Sequence, residues 1–193
     1  WAAGHTVGPY ELVARIGAGG MGEVWKAHDP RLDRSVAIKR LSPEHAQRFA
    51  HEARAIAALN HPNICQIHDL GPDYLVLEYI EGAPARYAGI ADREAFFAEL
   101  LEHIKTLHAR GVAHSDLQKK DNLLLVDGQH PCLLDFGAAV IRKSGFAPFN
   151  HFHYRFAERL DFNQWVKFKY QGQLENMSAA DRQYYRRTRL EKL

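Results

Sequence analysis

The sequence predicts an α+β fold of two small lobes, a strand-rich one over residues 1–80 and a mainly helical one over 81–193. Three observations carry this. Residues 10–16, 23–28 and 35–39 are short β-branched or aromatic-rich runs closed by turn residues. Glu81-Gly82-Ala83-Pro84 then breaks the pattern. Beyond it, Phe97, Leu100, Leu101, Ile104 and Leu107 recur at helical spacing, predicting a helix over 92–110 that Gly111 stops.

The remaining elements can be taken in chain order. Asp29-Pro30 and Leu32-Asp33-Arg34 turn the chain between the second and third strands. Ser42-Pro43-Glu44 opens a helix, with Ser42 as cap, Pro43 at the first helical position and Glu44 complementing the N-terminal dipole. Its apolar face is Phe49, Ala53, Ile56, Ala57 and Leu59, and it ends at Asn60 before Pro62. Residues 64–67 and 74–79 pair around Leu70-Gly71-Pro72-Asp73, completing a five-stranded sheet with one helix. In the second lobe, residues 122–126 and 131–134 flank the turn signal Asp127-Gly128. A helix is expected over 156–170. Another is expected from Ser178, where Ser178-x-x-Asp181 resembles a capping box.

Composition narrows the class. The 193 residues suffice for one compact unit or two small lobes, and 46% hydrophobic content supports a core. A net charge of +2 is too mild to indicate nucleic acid. Cys65 and Cys132 each sit in an apolar run, which predicts buried reduced thiols. No apolar run approaches the ~20 residues of a membrane span, and no signal peptide is visible, so the cytoplasm is the expected location.

Four motifs carry the chemistry. Gly17-Ala18-Gly19-Gly20-Met21-Gly22-Glu23-Val24 lies between two strands, so it is neither a dinucleotide fingerprint nor a Walker loop. A glycine-rich turn between strands lets backbone N–H groups approach phosphate oxygens. Val36-Ala37-Ile38-Lys39 comes next, then His114-Ser115-Asp116, and 19 residues after Asp116 comes Asp135-Phe136-Gly137. In this order these residues resemble the protein-kinase superfamily.

The resemblance implies an ATP- and Mg²⁺-dependent phosphotransferase with a two-lobed kinase-like fold, the nucleotide lying between the lobes. Lys39 would contact the α- and β-phosphates, held by Glu52 on the next helix; Glu44 is the competitor, already explained by capping. Gly17, Gly19 and Gly22 would cradle the phosphates. Val24 and Ala37 would cover the adenine, Leu124 would lie beneath it, and Leu77 would guard the back of the pocket. Glu78 and Ile80 belong to the hinge segment Glu78-Tyr79-Ile80, whose backbone would bond the adenine edge. Asp116 would take or orient the proton of the attacking hydroxyl, Asn122 and Asp135 would hold metal, and His114 would brace the loop. Phe136 would pack beneath the helix bearing Glu52.

The second half departs from the family. Ser115 replaces the arginine that docks a phosphorylated activation loop. Asn122 stands six residues after Asp116 rather than five, and Asp121 occupies the usual place as the alternative metal ligand. Gln118 replaces a lysine, leaving Lys119 or Lys120 to reach the γ-phosphate. No Ala-Pro-Glu comes after Gly137, and the remaining 56 residues leave no room for a peptide platform. The C-lobe therefore resembles minimal RIO-like and lipopolysaccharide-kinase-like enzymes, and the first 83 residues resemble bacterial Ser/Thr protein kinases. A chimera joined near Gly82–Arg86 is the corresponding expectation.

Protein Ser/Thr, including autophosphorylation, is the expected acceptor. A saccharide or small-molecule hydroxyl is the alternative, and a nucleotide-binding pseudokinase is the third reading. His151 and His153 are read as loop residues rather than metal ligands. Phe146, Phe149, Phe152, Tyr154, Phe156, Phe162 and Trp165 are read as packing under the catalytic loop, with an acceptor groove or self-association patch as alternatives. Arg182, Arg186, Arg187 and Arg189, interleaved with Tyr184 and Tyr185, are read as a solvated terminal helix.

Overall fold

A computed structural model describes residues 1–19, 22–41, 63–119 and 122–186. The chain divides into two compact units, residues 1–81 and 82–193.

The first unit is an antiparallel sheet of β1 (Thr6–Val7), β2 (Tyr10–Gly19), β3 (Gly22–Asp29), β4 (Arg34–Arg40), β5 (Ile67–Leu70) and β6 (Tyr74–Glu78), in the order β1-β2-β3-β4-β6-β5. The expected five strands become six because the short β1 pairs with the start of β2. The β5 strand also lies three residues later than its expected span of 64–67. It runs directly into the turn closed by Gly71 N–H on the Tyr74 carbonyl at 2.8 Å. His68 and Asp69, exposed at the sheet edge, hid it from an apolar pattern.

Alternation along these strands separates two faces. One carries Trp25, Ala27, Val36, Ile38 and Val76, which form a core with Tyr10, Leu12 and Tyr74. A smaller cluster joins Leu41 and Leu75 to Ile67, Leu70 and Leu77. The β3–β4 turn is pinned by Asp29, whose carboxylate accepts the Arg31 guanidinium and backbone N–H at 3.1 and 3.2 Å. Arg31 also donates to the Tyr10 hydroxyl at 2.9 Å, tying the turn to the core. The expected helix from Ser42 to Asn60 lies outside the described residues.

The second unit is built on two helices. α1 (Arg93–Ala109) is capped by Asp92, whose carboxylate accepts the Ala95 N–H at 3.0 Å. It stops at Gly111, where φ is +77°. A hairpin of β9 (Leu123–Val126) and β10 (His130–Leu133) closes through Asp127-Gly128-Gln129. The edge strand β7 (Ala83–Pro84) joins it, with Pro84 at the margin where its missing N–H costs nothing. A second small ladder pairs β8 (Val112–Ala113) with β11 (Val140–Ile141).

α2 (Pro148–Lys169) begins eight residues before the expected position 156. Pro148 suits the first turn, but the exposed Phe149 and Phe152 create no inward stripe there, and burial starts only at Tyr154. Its later turns pack on α1 through the Phe97–Phe168 edge contact at 5.1 Å. The Trp165 indole N–H also donates to the Phe97 carbonyl at 2.8 Å. Cys65 and Cys132 are buried reduced thiols, as expected.

Ser178 does cap, its hydroxyl accepting the Asp181 N–H at 3.1 Å. Beyond that cap the described residues form only a 3-10 turn, Asp181–Tyr184, in place of the expected helix. The Asp181 carboxylate does not complete a capping box. It accepts the Tyr170 hydroxyl at 2.6 Å and faces the Lys169 ammonium at 3.0 Å. Arg187 and Arg189 lie outside the described residues.

Burial raises the Asp181 pKa, but the Tyr170 and Lys169 bonds outweigh it and hold the group below its ordinary 3.8. A depressed carboxylate stabilises fully above that ordinary value and loses its contribution as pH falls through the folded-state pKa. Asp181→Asn is therefore expected to melt below the parent at pH 7, with the gap closing below about pH 4. Thermal melts across acid pH check this; a gap independent of pH would show that the charge contributes nothing.

Candidate functional site

Strand register alone gathers the predicted residues of the first unit. Val24 lies opposite Lys39, and Lys26, Ala37 and Leu77 form a row across β3, β4 and β6. Cross-strand partners share a face, so Val24, Ala37, Lys39 and Leu77 all occupy the face opposite the Trp25–Val36–Ile38 core. Lys39 is buried. Gly17 pairs with Val24 and Gly19 with Gly22 at the β2–β3 turn. Gly22 has φ +120°, and a Cβ there would collide with the Arg40 carbonyl oxygen, so only glycine fits.

The segment after β6 is held from two sides. The Glu78 N–H donates to the Gln66 carbonyl at 2.8 Å, and its carboxylate accepts the Gln66 N–H at 3.3 Å. The Lys26 ammonium sits 4.2 Å from the Tyr79 ring centre, a cation–π contact. Ile80 comes next, half-buried. Glu52 lies outside the described residues.

In the second unit both backbone groups of Asp116 are engaged. Its N–H donates to His114 Nδ1 at 3.3 Å, and its carbonyl accepts Asn122 Nδ2 at 2.8 Å. The same amide reaches the Asp116 carboxylate at 3.3 Å, and Lys119 Nζ lies 3.8 Å from it. Of the two candidate lysines, Lys119 stands beside Asp116; Lys120 and Asp121 lie outside the described residues. His114 is fully buried, its Nε2 bonded to the Leu134 carbonyl at 2.8 Å and its ring 4.8 Å from Phe136. It braces the loop rather than facing solvent.

The Leu134 N–H donates to the Asn122 carbonyl at 2.9 Å, which sets Asp135 beside Asn122. Asp135 has φ +53°, a left-handed backbone, and its carboxylate accepts the Gly137 N–H at 3.2 Å. Leu124 is half-buried, alternating with the buried Leu123 and Leu125 of β9.

Two residues that sequence reasoning missed hold this loop from below. The carboxylate of Asp161, fully buried on α2, accepts His108 Nε2 at 2.9 Å, the His114 N–H at 2.8 Å and the Ser115 N–H at 2.7 Å. One turn later, the Gln164 side chain accepts the Leu117 N–H at 2.8 Å. Ser115 has φ +67°, a strained conformation for a non-glycine residue that must be held by its surroundings. The available signal was Asp161 itself, a charge on the stripe Tyr154, Ala157, Asp161, Trp165 where an apolar residue belongs. Tyr154 closes the floor, its hydroxyl donating to the His108 carbonyl at 3.0 Å; burial, then the neighbouring Glu158, pushes its pKa upward.

The aromatic segment divides. Tyr154 and Trp165 pack inside as expected, but Phe146, Phe149, Phe152 and Phe156 are exposed and lie under nothing described. His151 bonds the Lys143 carbonyl at 2.9 Å. Among the described residues no group of three or more His, Cys, Asp or Glu is placed to hold a metal. None of the described helices is long and apolar enough to cross a membrane.

Known proteins share this sequence and geometry. The family model described as the protein kinase domain matches residues 10–157. Serine/threonine-protein kinase PknA of Mycobacterium tuberculosis is 37% identical over 156 residues, covering 68% of this chain and 36% of that protein. A probable serine/threonine-protein kinase of Streptomyces coelicolor is 35% identical over 153 residues, covering 68% of this chain and 23% of the relative. The chain thus spans well under half the length of these relatives. The solved kinase domain of Mycobacterium tuberculosis PknI is similar with a TM-score of 0.66 and 27% identity, over 87% of this chain and 76% of that domain. One match running through both units of a two-unit α+β architecture shows that this chain belongs to the protein kinase domain family.

Proposed function

We propose that the chain transfers the γ-phosphoryl group of ATP to the hydroxyl of a protein Ser or Thr, its own residues included. The observation that carries this reading is the immobilised Asp116, whose N–H, carbonyl and carboxylate are all held by loop neighbours. Phosphoryl transfer asks a protein for positioning and charge neutralisation rather than covalent chemistry.

Each residue then has a task. Val24, Ala37 and Leu77 offer an apolar surface to the adenine, and the family resemblance assigns Leu124 to the base as well. The Glu78 N–H is already given to Gln66 and its carbonyl accepts Cys65 Sγ at 3.6 Å, which leaves the second lone pair of that carbonyl and the Ile80 backbone for the base edge. Gly17, Gly19 and Gly22 admit phosphate oxygens close to the backbone, and Lys39, braced by Glu52, neutralises their charge. Asp116 receives the proton of the acceptor hydroxyl as its oxygen bonds to the γ-phosphorus and the bond to the β-phosphate oxygen breaks, releasing ADP. Lys119 offsets charge beside it.

The metal site fits a hard cation. Asn122 spends its Nδ2 on Asp116, which leaves its side-chain oxygen as the donor that, with the Asp135 carboxylate, would hold a hard cation. Mg²⁺ held there would neutralise the phosphate charge that develops during transfer.

A small-molecule or saccharide acceptor is the second reading, favoured by one feature. Only nine residues separate the 3-10 turn Phe136–Ala138 from α2, where a peptide-docking platform would require more chain. The pseudokinase reading predicts ATP binding without transfer. For the second unit we retain a minimal lineage resembling RIO-like and lipopolysaccharide-kinase-like enzymes, joined near Gly82–Arg86. Ser115 and the six-residue spacing from Asp116 to Asn122 support it, and a natural gene carrying both halves across its homologues would overturn the join. A cytoplasmic location is proposed on the same footing.

Transfer from γ-labelled ATP to the chain itself, to a basic protein and to saccharides tests these readings. Asp116→Ala or Asp135→Ala is expected to lower transfer by roughly 10²-fold or more; retention of full rate would remove both assignments. Gln164→Leu orphans the Leu117 N–H and is expected to lower kcat by ~10–100-fold with little change in the KM for ATP. Gln164→Glu, which keeps an acceptor oxygen, should recover most of it. Equal losses in both variants, tracked by melting temperature, would reduce Gln164 to a packing role.

A further inference from the structure

The exposed phenylalanines form one feature. Phe149, Phe152 and Phe156 recur at i, i+3 and i+7 on α2, opposite the buried stripe of Tyr154, Ala157 and Asp161. They are 90%, 76% and 42% exposed, and Phe146, at the tip of the preceding loop, is 97% exposed. At ~200 Å² per ring, these exposures leave roughly 600 Å² of aromatic surface in water. That is at the upper limit for the largest apolar patch of an ordinary monomer.

The tip is held in place. Asn150 accepts the Lys143 N–H at 2.8 Å and donates to the Ile141 carbonyl at 2.9 Å. His151 bonds the Lys143 carbonyl at 2.9 Å, and Gly145 turns the chain with φ +73°. These bonds seat the loop on the first turn of α2, so Phe146 is presented outward by its backbone.

The charges beside the patch share one sign. Arg142 and Lys143 precede the tip, and Arg155 and Arg159 flank the helical phenylalanines, all exposed. Glu158 is the one acidic side chain on α2 before Asp161 and lies half-buried toward Tyr154. A second copy would bring this basic surface against itself. Aromatic side chains flanked by arginine and lysine on a surface helix match an anionic lipid headgroup layer, with the rings at the acyl boundary and the cations among the phosphates.

We propose that Phe146 and the Phe149–Phe152–Phe156 face of α2 form a docking surface for an anionic lipid bilayer. Phe149, Phe152 and Phe156 lie on the side of α2 away from Asp161, and the proposal does not depend on phosphotransfer.

Co-sedimentation of the chain with vesicles of phosphatidylcholine and phosphatidylglycerol, beside phosphatidylcholine alone, tests it. Binding to the anionic vesicles only, weakened by salt, is expected. Phe149→Ser/Phe152→Ser should lower the partition coefficient roughly tenfold or more at unchanged melting temperature. Arg155→Glu/Arg159→Glu should abolish the preference for anionic lipid. No vesicle binding, or binding indifferent to both double variants, would overturn the proposal. A concentration-dependent dimer that Phe149→Ser/Phe152→Ser dissociates, without vesicle binding, would assign the face to self-association and equally overturn it.

Discussion

The second unit depends on one buried carboxylate. Burying Asp161 uncompensated would cost several kcal/mol, and its placement is tolerated because three N–H donors converge on it. Those donors come from the end of α1 and from consecutive residues of the loop bearing Asp116. The carboxylate thereby fixes helix, helix and loop relative to one another within this unit. It also offsets the left-handed backbone of Ser115, without which Asp116 would not face the side it does. Hydrogen bonds to an ionised acceptor are the stronger kind, which suits a position where an ångström of slack would cost rate.

This anchor explains how the segment around Asp116 is held with little chain between the Phe136–Ala138 turn and α2. The chain passes from the Phe136–Ala138 turn through β11 into α2 within nine residues, and β11 is stitched to β8 on the way. The helix that would otherwise need a long intervening segment to reach the loop is delivered to it directly. The consequence appears at the other end of the same helix. With no described element lying over its first turns, Phe149, Phe152 and Phe156 stay in water, so the compactness that supports Asp116 also creates the aromatic face.

Legibility in the sequence tracked the range of the interactions. Gly17, Lys39, Asp116, Asn122 and Asp135 were visible because the tasks proposed for them attach to short motifs. Caps and stops were visible for the same reason: Asp92 and Gly111 bound α1 where local chemistry predicts. Asp161 and Gln164 were not, because their partners lie about 47 residues away and nothing nearby marks them as acceptors. The start of α2 was missed because an exposed aromatic face produces no inward periodicity. Ser178 was read correctly as a cap, yet Asp181 had a better offer from Tyr170 and Lys169 than from the backbone. Glu52 lies outside the described residues and keeps the standing its motif gives it.

The candidate residues of the two units are secured by different physics, and they should respond differently to substitution. In the first unit, backbone register decides which side chains share a face. Two irregularities in β2, between Leu12 and Ala14 and between Arg15 and Gly17, shift its pairing so that Gly17 lands opposite Val24. A face set by register tolerates apolar exchange at Val24 or Leu77, since no single side chain holds the geometry; only a slip of the strand or a Cβ at Gly22 defeats it. In the second unit the backbone around Asp116 is irregular and is held by a few side-chain acceptors and donors. Asp161, Gln164, His114 and Asn122 each hold a backbone group of this segment through a side chain. Sensitivity to mutation should therefore concentrate in the second unit, in residues that never touch the transferred group.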